Sequence, residues 1–141
     1  MTDPCPPLSV LVVDDHPDTA GSTATLLSLT GHTARAALSG EEALRLAEAD
    51  PPDVVLLDVH MPGLDGLEVA RRLARTPGKP PLTVVVTGYD EPADRDGAAA
   101  AGVHLRLIKP VDPAVLVGLL RRVQKTLAPL PRNPAPAANP Q

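Results

Sequence analysis

The sequence contains the polar residue types that phosphoryl transfer needs. A carboxylate can attack phosphorus and form an acyl phosphate. A lysine offers positive charge to a phosphate oxygen, and a threonine hydroxyl can donate a hydrogen bond to another. The residues concerned each follow a short apolar run, and they are Asp14, Asp15, Asp58, Thr87 and Lys109. Their types predict a site in which one aspartate accepts a phosphoryl group.

The three aspartates also predict a divalent cation. Carboxylates brought together repel one another unless a positive ion neutralises them. A site made only of oxygen atoms favours a hard ion such as Mg²⁺, which keeps several waters and bridges to phosphate oxygens, with Mn²⁺ as the alternative. The ion would also screen an incoming phosphoryl group from the carboxylate that attacks it. We therefore expect Mg²⁺ or Mn²⁺ at Asp14, Asp15 and Asp58.

Each of these residues has a simpler interpretation when taken alone. An aspartate such as Asp14 or Asp15 is more often a helix cap than a metal ligand. Thr87 could end a strand before Gly88, and Lys109 could be a solvated lysine at an ordinary strand-to-loop transition. Only their joint order and location favour a functional site.

The apolar runs that precede these residues have the length of β-strands. Residues 8–13, 53–57 and 82–86 are continuously apolar or nearly so, which is typical of strands that a parallel sheet buries on both faces. Weaker strands are predicted at 32–37 and 103–108. Polar side chains at the carboxyl ends of such strands are expected to meet, because ligands bind there in parallel sheets.

Segments of helix length lie between the strands. Ser39 and Glu42 form a capping box before the second helix, and Asp112 caps a helix that begins with Pro113 and reaches residue 127. The other helices are predicted at 17–29, stopped by Gly31, at 66–74, and at 91–101. The last of these is expected to be short or mobile, because a glycine within it costs about 1 kcal/mol against alanine.

Five strands that alternate with five helices predict an α/β fold with a doubly wound parallel sheet. The 141 residues suffice for one domain, predicted over 8–128, with a proline-rich disordered leader at 1–7 and a disordered tail at 129–141. The sequence has no Phe, no Trp and one Tyr, so the core must be aliphatic.

Composition excludes several classes of function. The net charge is -4 and basic residues form no runs, which argues against direct binding to nucleic acid. The single cysteine excludes an internal disulfide and a cysteine-based zinc site. No apolar run approaches the roughly 18 residues that span a bilayer, and the first residues do not resemble a signal peptide. A cytoplasmic protein that does not act on a membrane is expected.

Four motifs resemble the receiver domain of two-component response regulators. They are VLVVDD at 10–15, VVLLDVHMPGLDGLEVARRL at 54–73, VVVTG at 84–88 and LIKPVDPAVL at 107–116. The resemblance extends from residue 8 to about residue 127. It implies a flavodoxin-like sheet with the strand order 2-1-3-4-5.

The same resemblance implies roles for individual residues. Asp58 would be the phosphoacceptor, and Thr87 and Lys109 would contact the phosphoryl group. The metal would be held by Asp58 and three further groups: Asp15 directly, Asp14 often through water, and the backbone carbonyl of His60. The His60 and Tyr89 side chains would tune dephosphorylation, with a catalytic His60 imidazole as the less favoured alternative.

The chain departs from the family's pattern at Arg106. Receivers usually have an aromatic residue or histidine three positions before the conserved lysine, and its inward rotation reports phosphorylation. An always-charged guanidinium resists burial. We therefore expect Arg106 to stay exposed and signalling to pass through Thr87 and the segment 91–101.

The function implied is that of a phosphoacceptor switch rather than an enzyme. A sensor histidine kinase or a phosphotransfer protein would donate the phosphoryl group, and an unidentified downstream protein would bind the changed surface. Because no output domain follows the last helix, a single-domain regulator or a receiver from a hybrid histidine kinase is expected. Two alternatives are a binding module that works without phosphorylation and an aspartyl-phosphate phosphatase, which usually has a second Asp where this chain has His60.

Overall fold

The computed structural model describes residues 6–59, 61, 63, 66–88 and 101–127. Within them, five strands form one parallel sheet in the order β2-β1-β3-β4-β5, and four helices are present. The elements are β1 (Ser9–Val13), α1 (Pro17–Leu29), β2 (Thr33–Ala37), α2 (Gly40–Ala49), β3 (Val54–Asp58), α3 (Gly66–Ala74), β4 (Leu82–Thr87), β5 (Leu105–Ile108) and α4 (Pro113–Leu127). The predicted α/β fold and the strand order 2-1-3-4-5 are confirmed.

The two central strands separate two aliphatic clusters. Side chains of a strand point alternately to opposite faces of the sheet, so Leu11 and Leu57 pack on the side of α2 and α3. Val12 and Leu56 pack on the other side, together with residues of α1 and α4. Both faces of β1 and β3 are buried, which explains their nearly uninterrupted apolar sequences.

The helix ends follow the signals read from the sequence. Ser39 Oγ accepts a hydrogen bond from the Glu42 backbone N–H at 3.1 Å, so the predicted cap of α2 is present. The Glu42 side chain reaches one residue further than in a standard capping box and accepts from the Leu38 N–H at 2.7 Å. Asp112 caps α4 by accepting from the Ala114 N–H at 2.8 Å. The helix α1 ends at the predicted place, with Gly31 at a φ of 101°.

Some sequence predictions need correction or lie outside the described residues. The strand β5 begins at Leu105 rather than at residue 103. Val115 has the spacing of the apolar stripe of the last helix, yet it is 55% exposed. Arg106, expected to stay exposed, is half-buried. The segments 1–5, 89–100 and 128–141 are outside the described part of the chain, so the helix at 91–101 and most of the leader and tail stay predictions.

Two histidines tie strand starts together at the amino edge of the sheet. His32, just before β2, accepts the Leu8 N–H on its Nδ1 at 3.3 Å. His104, just before β5, accepts the Thr83 N–H on its Nδ1 at 3.0 Å. The strands β2 and β5 are the outermost strands of the sheet, so each histidine joins an outer strand to its inner neighbour. These bonds hold the amino edge together at a distance from the polar residues of the carboxyl edge.

The His32 bond predicts a dependence of stability on pH. Burial, together with the positive charge of Arg121, lowers the pKa of His32 below its ordinary value. The unfolded chain therefore binds more protons than the folded chain as the pH falls below about 6.5, and the free energy of unfolding decreases there. The decrease amounts to about 1.4 kcal/mol for each unit by which the two pKa values differ.

Urea unfolding of the wild type and of His32→Asn between pH 8 and pH 5 measures this effect. The Asn amide oxygen can still accept the Leu8 N–H but does not titrate, so the variant should lose less stability on acidification than the wild type. Equal losses in the two proteins would assign the acid sensitivity to other groups.

Candidate functional site

The predicted polar residues meet at the carboxyl edge of the sheet. Asp14 follows β1 directly, Asp58 is the last residue of β3, Thr87 is the last residue of β4, and Lys109 follows β5. The pairing of β3 with β4 puts Asp58 opposite Val86, and the pairing of β4 with β5 puts Thr87 opposite Ile108. Four sites that are far apart in the sequence are therefore brought to adjacent strand ends.

The aspartates form a tight cluster. Ligand atoms of Asp14, Asp15 and Asp58, together with one of His16, all lie within 4.8 Å of one another. Asp14 and Asp58 are only 6% and 4% exposed. The Asp15 Oδ1 atom is buried and, among the described residues, accepts no well-formed hydrogen bond. Clustered, largely desolvated carboxylate oxygens of this kind suit a hard divalent cation.

Lys109 brings a cationic side chain to the site. Its Nζ lies 3.5 Å from Asp58 Oδ2, while its side chain remains 41% exposed. The backbone of the same residue is held by a hydrogen bond from its N–H to the Thr87 carbonyl at 2.7 Å, and the peptide bond to Pro110 is cis. The ammonium group can therefore reach a phosphate oxygen beside Asp58 without movement of the strand.

Thr87 is buried beside Asp58, since its side chain belongs to the adjacent strand end. Two further residues predicted from the resemblance, His60 and Tyr89, lie outside the described residues. The carbonyl of His60 as a metal ligand, and the tuning of dephosphorylation by the two side chains, stay predictions.

His16 was not predicted as a residue of this site. Its backbone N–H donates to Asp14 Oδ1 at 3.0 Å, and its ring Nδ1 lies 3.1 Å from Asp14 Oδ1 and 3.2 Å from Asp15 Oδ1. Its position directly after two acidic residues was the available signal. The order of residues did not show, however, that the ring turns back toward the carboxylates.

A cavity of about 520 Å³ adjoins the cluster. Asp14, Asp58 and Lys109 stand at its polar end, and the rest is lined mainly by aliphatic side chains of the sheet and α4 and by Thr19 and Thr23 of α1. Sequence reasoning did not anticipate the two threonines. The cavity gives solvent and small molecules a route to the Asp58 carboxylate.

Gly66 places the start of α3 directly against the end of β3. Its N–H donates to the Val59 carbonyl at 3.1 Å. A Cβ at this position would overlap the Asp58 carbonyl oxygen and come within 2.8 Å of Val59 Cα. Its φ is not positive, so the reason for glycine here is close packing rather than a backbone conformation that only glycine adopts readily. Gly63, in contrast, does adopt a turn conformation, with a φ of 76°.

Gly66→Ala is therefore expected to displace the end of β3 and to destabilise the protein by about 1–3 kcal/mol, as overpacking does elsewhere. Urea unfolding measures the change. Gly118→Ala in α4 is the matched control, because nothing lies within 4 Å of the added Cβ. Alanine should stabilise that helix by up to about 1 kcal/mol. Equal effects of the two substitutions would contradict the close approach of Gly66 to β3.

Comparison with known proteins agrees with this geometry. The model of the response regulator receiver domain family matches residues 10–121. Response regulator MprA of Mycolicibacterium vanbaalenii is 38% identical over 123 residues, which cover 87% of this chain and 53% of that protein. An uncharacterized 14.6 kDa protein of Leptolyngbya boryana is 35% identical over 116 residues, which cover 82% of this chain and 88% of that one.

Solved structures give the same result. The CheY-like receiver domain protein of Methanospirillum hungatei superposes with a TM-score of 0.78 at 25% identity, covering 85% of this chain and 95% of that one. The chain belongs to the response regulator receiver domain family, whose members act in two-component signalling. It spans about half the length of curated relatives such as MprA and the transcriptional regulatory protein AfsQ1 of Streptomyces coelicolor.

Among the described residues, no helix has the length and apolar character needed to cross a membrane.

Proposed function

We propose that this chain is a phosphoacceptor switch that takes a phosphoryl group onto Asp58 from a histidine kinase or a phosphotransfer protein. The observation that supports this most directly is the position of Asp58. Its nearly buried carboxylate lies among the other acidic side chains and has the Lys109 ammonium 3.5 Å away. A nucleophile, a set of metal ligands and a phosphate-binding cation are thus present in one place.

The proposed transfer is a single displacement at phosphorus. A carboxylate oxygen of Asp58 forms the new P–O bond while the P–N bond of the donor phosphohistidine breaks, and the imidazole nitrogen leaves with the electron pair. Lys109 pairs with a phosphoryl oxygen, and the Thr87 hydroxyl donates to another. Such transfers depend on positioning and charge neutralisation more than on covalent activation.

The acidic side chains fit a bound Mg²⁺ or Mn²⁺. Asp14, Asp15 and Asp58 would hold the ion, with the His60 carbonyl as a further ligand. When bound, it supplies the positive charge that lets an anionic phosphoryl group approach a carboxylate. The buried Asp15 Oδ1, which accepts no well-formed hydrogen bond from the described residues, supports this assignment.

Two alternatives follow from the same site. A module that binds partners without phosphorylation would not need the complete set of Asp14, Asp15, Asp58, Thr87 and Lys109. A phosphatase with an aspartyl-phosphate intermediate would need a second acid two residues after Asp58, where the sequence has His60. We therefore favour the switch, acting in the cytoplasm on a downstream protein and assisting only its own phosphorylation and dephosphorylation.

Intact-mass measurement after incubation with Mg²⁺ and a small acyl phosphate distinguishes these functions. The wild type should gain one phosphoryl group and Asp58→Asn should gain none, because the amide is not a nucleophile. If neither protein gains mass while the donor stays intact, the binding module is favoured instead. Rapid multiple turnover of varied phosphoesters would identify a phosphatase.

The structure also suggests how phosphorylation reaches the surface. Thr87 pairs with Ile108 in β5, and its carbonyl accepts the Lys109 N–H, so Thr87 and Lys109 are both linked to the backbone of that strand. Arg106 lies on the same strand, half-buried, at the position where relatives usually have an aromatic residue or histidine. We propose that signalling passes from Thr87 into β5. The Arg106 side chain adjusts to this change without leaving its half-buried position.

Backbone amide NMR with and without beryllofluoride, a phosphoryl mimic, measures this route. Shifts are expected at Asp58 and through residues 101–108 in the wild type, and none in Asp58→Asn. Shifts confined to the residues around Asp14 and Asp58 would show that β5 does not relay the signal.

A further inference from the structure

The ring of His16 faces the acidic cluster rather than the helix it precedes. His16 occupies the cap position of α1, yet its side chain makes no capping hydrogen bond. Its Nδ1 instead lies 3.1 Å from Asp14 Oδ1 and 3.2 Å from Asp15 Oδ1. In the described part of the chain, this imidazole therefore contacts the carboxylates of the proposed metal site.

We propose that His16 is a nitrogen ligand of that site, which raises its affinity for a transition ion relative to its affinity for Mg²⁺. This inference rests on the proposed function only in taking the acidic cluster as a cation site. Three carboxylates alone define an oxygen site of the Mg²⁺ type. Imidazole nitrogen instead suits ions such as Zn²⁺ and Cu²⁺, and the affinity of a given site is higher for Cu²⁺ than for Zn²⁺.

The geometry needs little change to hold one ion. The four ligand atoms of Asp14, Asp15, His16 and Asp58 already lie within 4.8 Å of one another. Ligands at about 2.1 Å from a shared ion are at most about 4.2 Å apart, and about 3.4 Å apart in tetrahedral geometry, so the most separated pair must close by roughly 0.6–1.4 Å. The His16 side chain is 70% exposed and can make this adjustment without disturbing the core.

The His16 backbone supports the same role. Its N–H donates to Asp14 Oδ1 at 3.0 Å, and its carbonyl accepts the Ala20 N–H within the first turn of α1. These bonds fix the Cα of His16 next to the carboxylates, so the ring needs only side-chain rotation to reach an ion. A metal-ligating histidine held in this way loses little conformational entropy on binding.

Pulsed EPR of the full chain with less than one equivalent of Cu²⁺ tests for the nitrogen ligand directly. The wild type should show the coupling of a remote imidazole nitrogen, and His16→Asn should lose it. His104→Asn is the matched control, because that residue lies at the opposite edge of the sheet, and it should keep the coupling. Coupling that persists in His16→Asn but disappears in His60→Asn would overturn the assignment.

Competition titrations then measure selectivity. The ratio of Zn²⁺ to Mg²⁺ affinity should fall by about tenfold or more in His16→Asn, because only the transition ion gains from imidazole. Far-ultraviolet circular dichroism checks that the variant is folded. An unchanged ratio in a folded variant would contradict the proposal. Failure of Asp58 phosphorylation with the nitrogen coupling intact would instead count against the proposed function alone.

Discussion

Like charges that must lie close together are the constraint on which the rest of this molecule depends. Oxygen atoms of Asp14, Asp15 and Asp58 come within 4.8 Å of one another at the ends of neighbouring strands. Each such pair of charges repels by roughly 3 kcal/mol at an effective dielectric constant of about 20. The fold must supply both the stability that offsets this repulsion and the groups that reduce it. Lys109 and His16 approach the carboxylates from two different elements, the end of β5 and the start of α1.

Along the strands, the interactions that stabilise the fold lie apart from the carboxylates that repel one another. The middle of β1 and β3 is aliphatic on both faces, and the clusters around Leu11 and Val12 are packed from opposite sides by helices. The amino edge is joined by His32 and His104, which accept backbone N–H groups of the neighbouring strands. The carboxyl edge is consequently left to the polar residues that end or follow the strands, and strand register brings these residues together.

Much of this arrangement could be predicted from residue order. Hydrophobic periodicity and end signals placed the helices at 17–29 and 66–74 with the bounds observed. The strand β5 was predicted two residues too early because Val103 and His104 are compatible with a strand in type, whereas His104 uses its ring to cap β4. Asp14, Asp58, Thr87 and Lys109 were found because each ends an apolar run. Periodicity could not give the strand order, which came from the resemblance to receivers.

The order of the residues could not predict the directions in which side chains point. Val115 fits the apolar stripe of α4 by spacing, but the helix presents it to solvent. Arg106 was expected to avoid burial because of its charge, yet it is half-buried on β5 and its Nη1 atom is buried. His16 follows Asp14 and Asp15, which were predicted as metal ligands. Only the folded structure shows that its ring turns back to them. The close approach of Gly66 to Asp58 likewise depends on how α3 packs.

The absence of phenylalanine and tryptophan has a consequence at the site itself. Val, Leu and Thr side chains leave a cavity of about 520 Å³ between the sheet, α1 and α4, and this cavity opens beside Asp58. A larger aromatic side chain from α1 would fill it and separate the carboxylate from solvent on that side. Because Thr19 and Thr23 line it instead, the cavity is polar enough at α1 to hold water. The same aliphatic composition that builds the core therefore leaves open space beside the proposed phosphoacceptor.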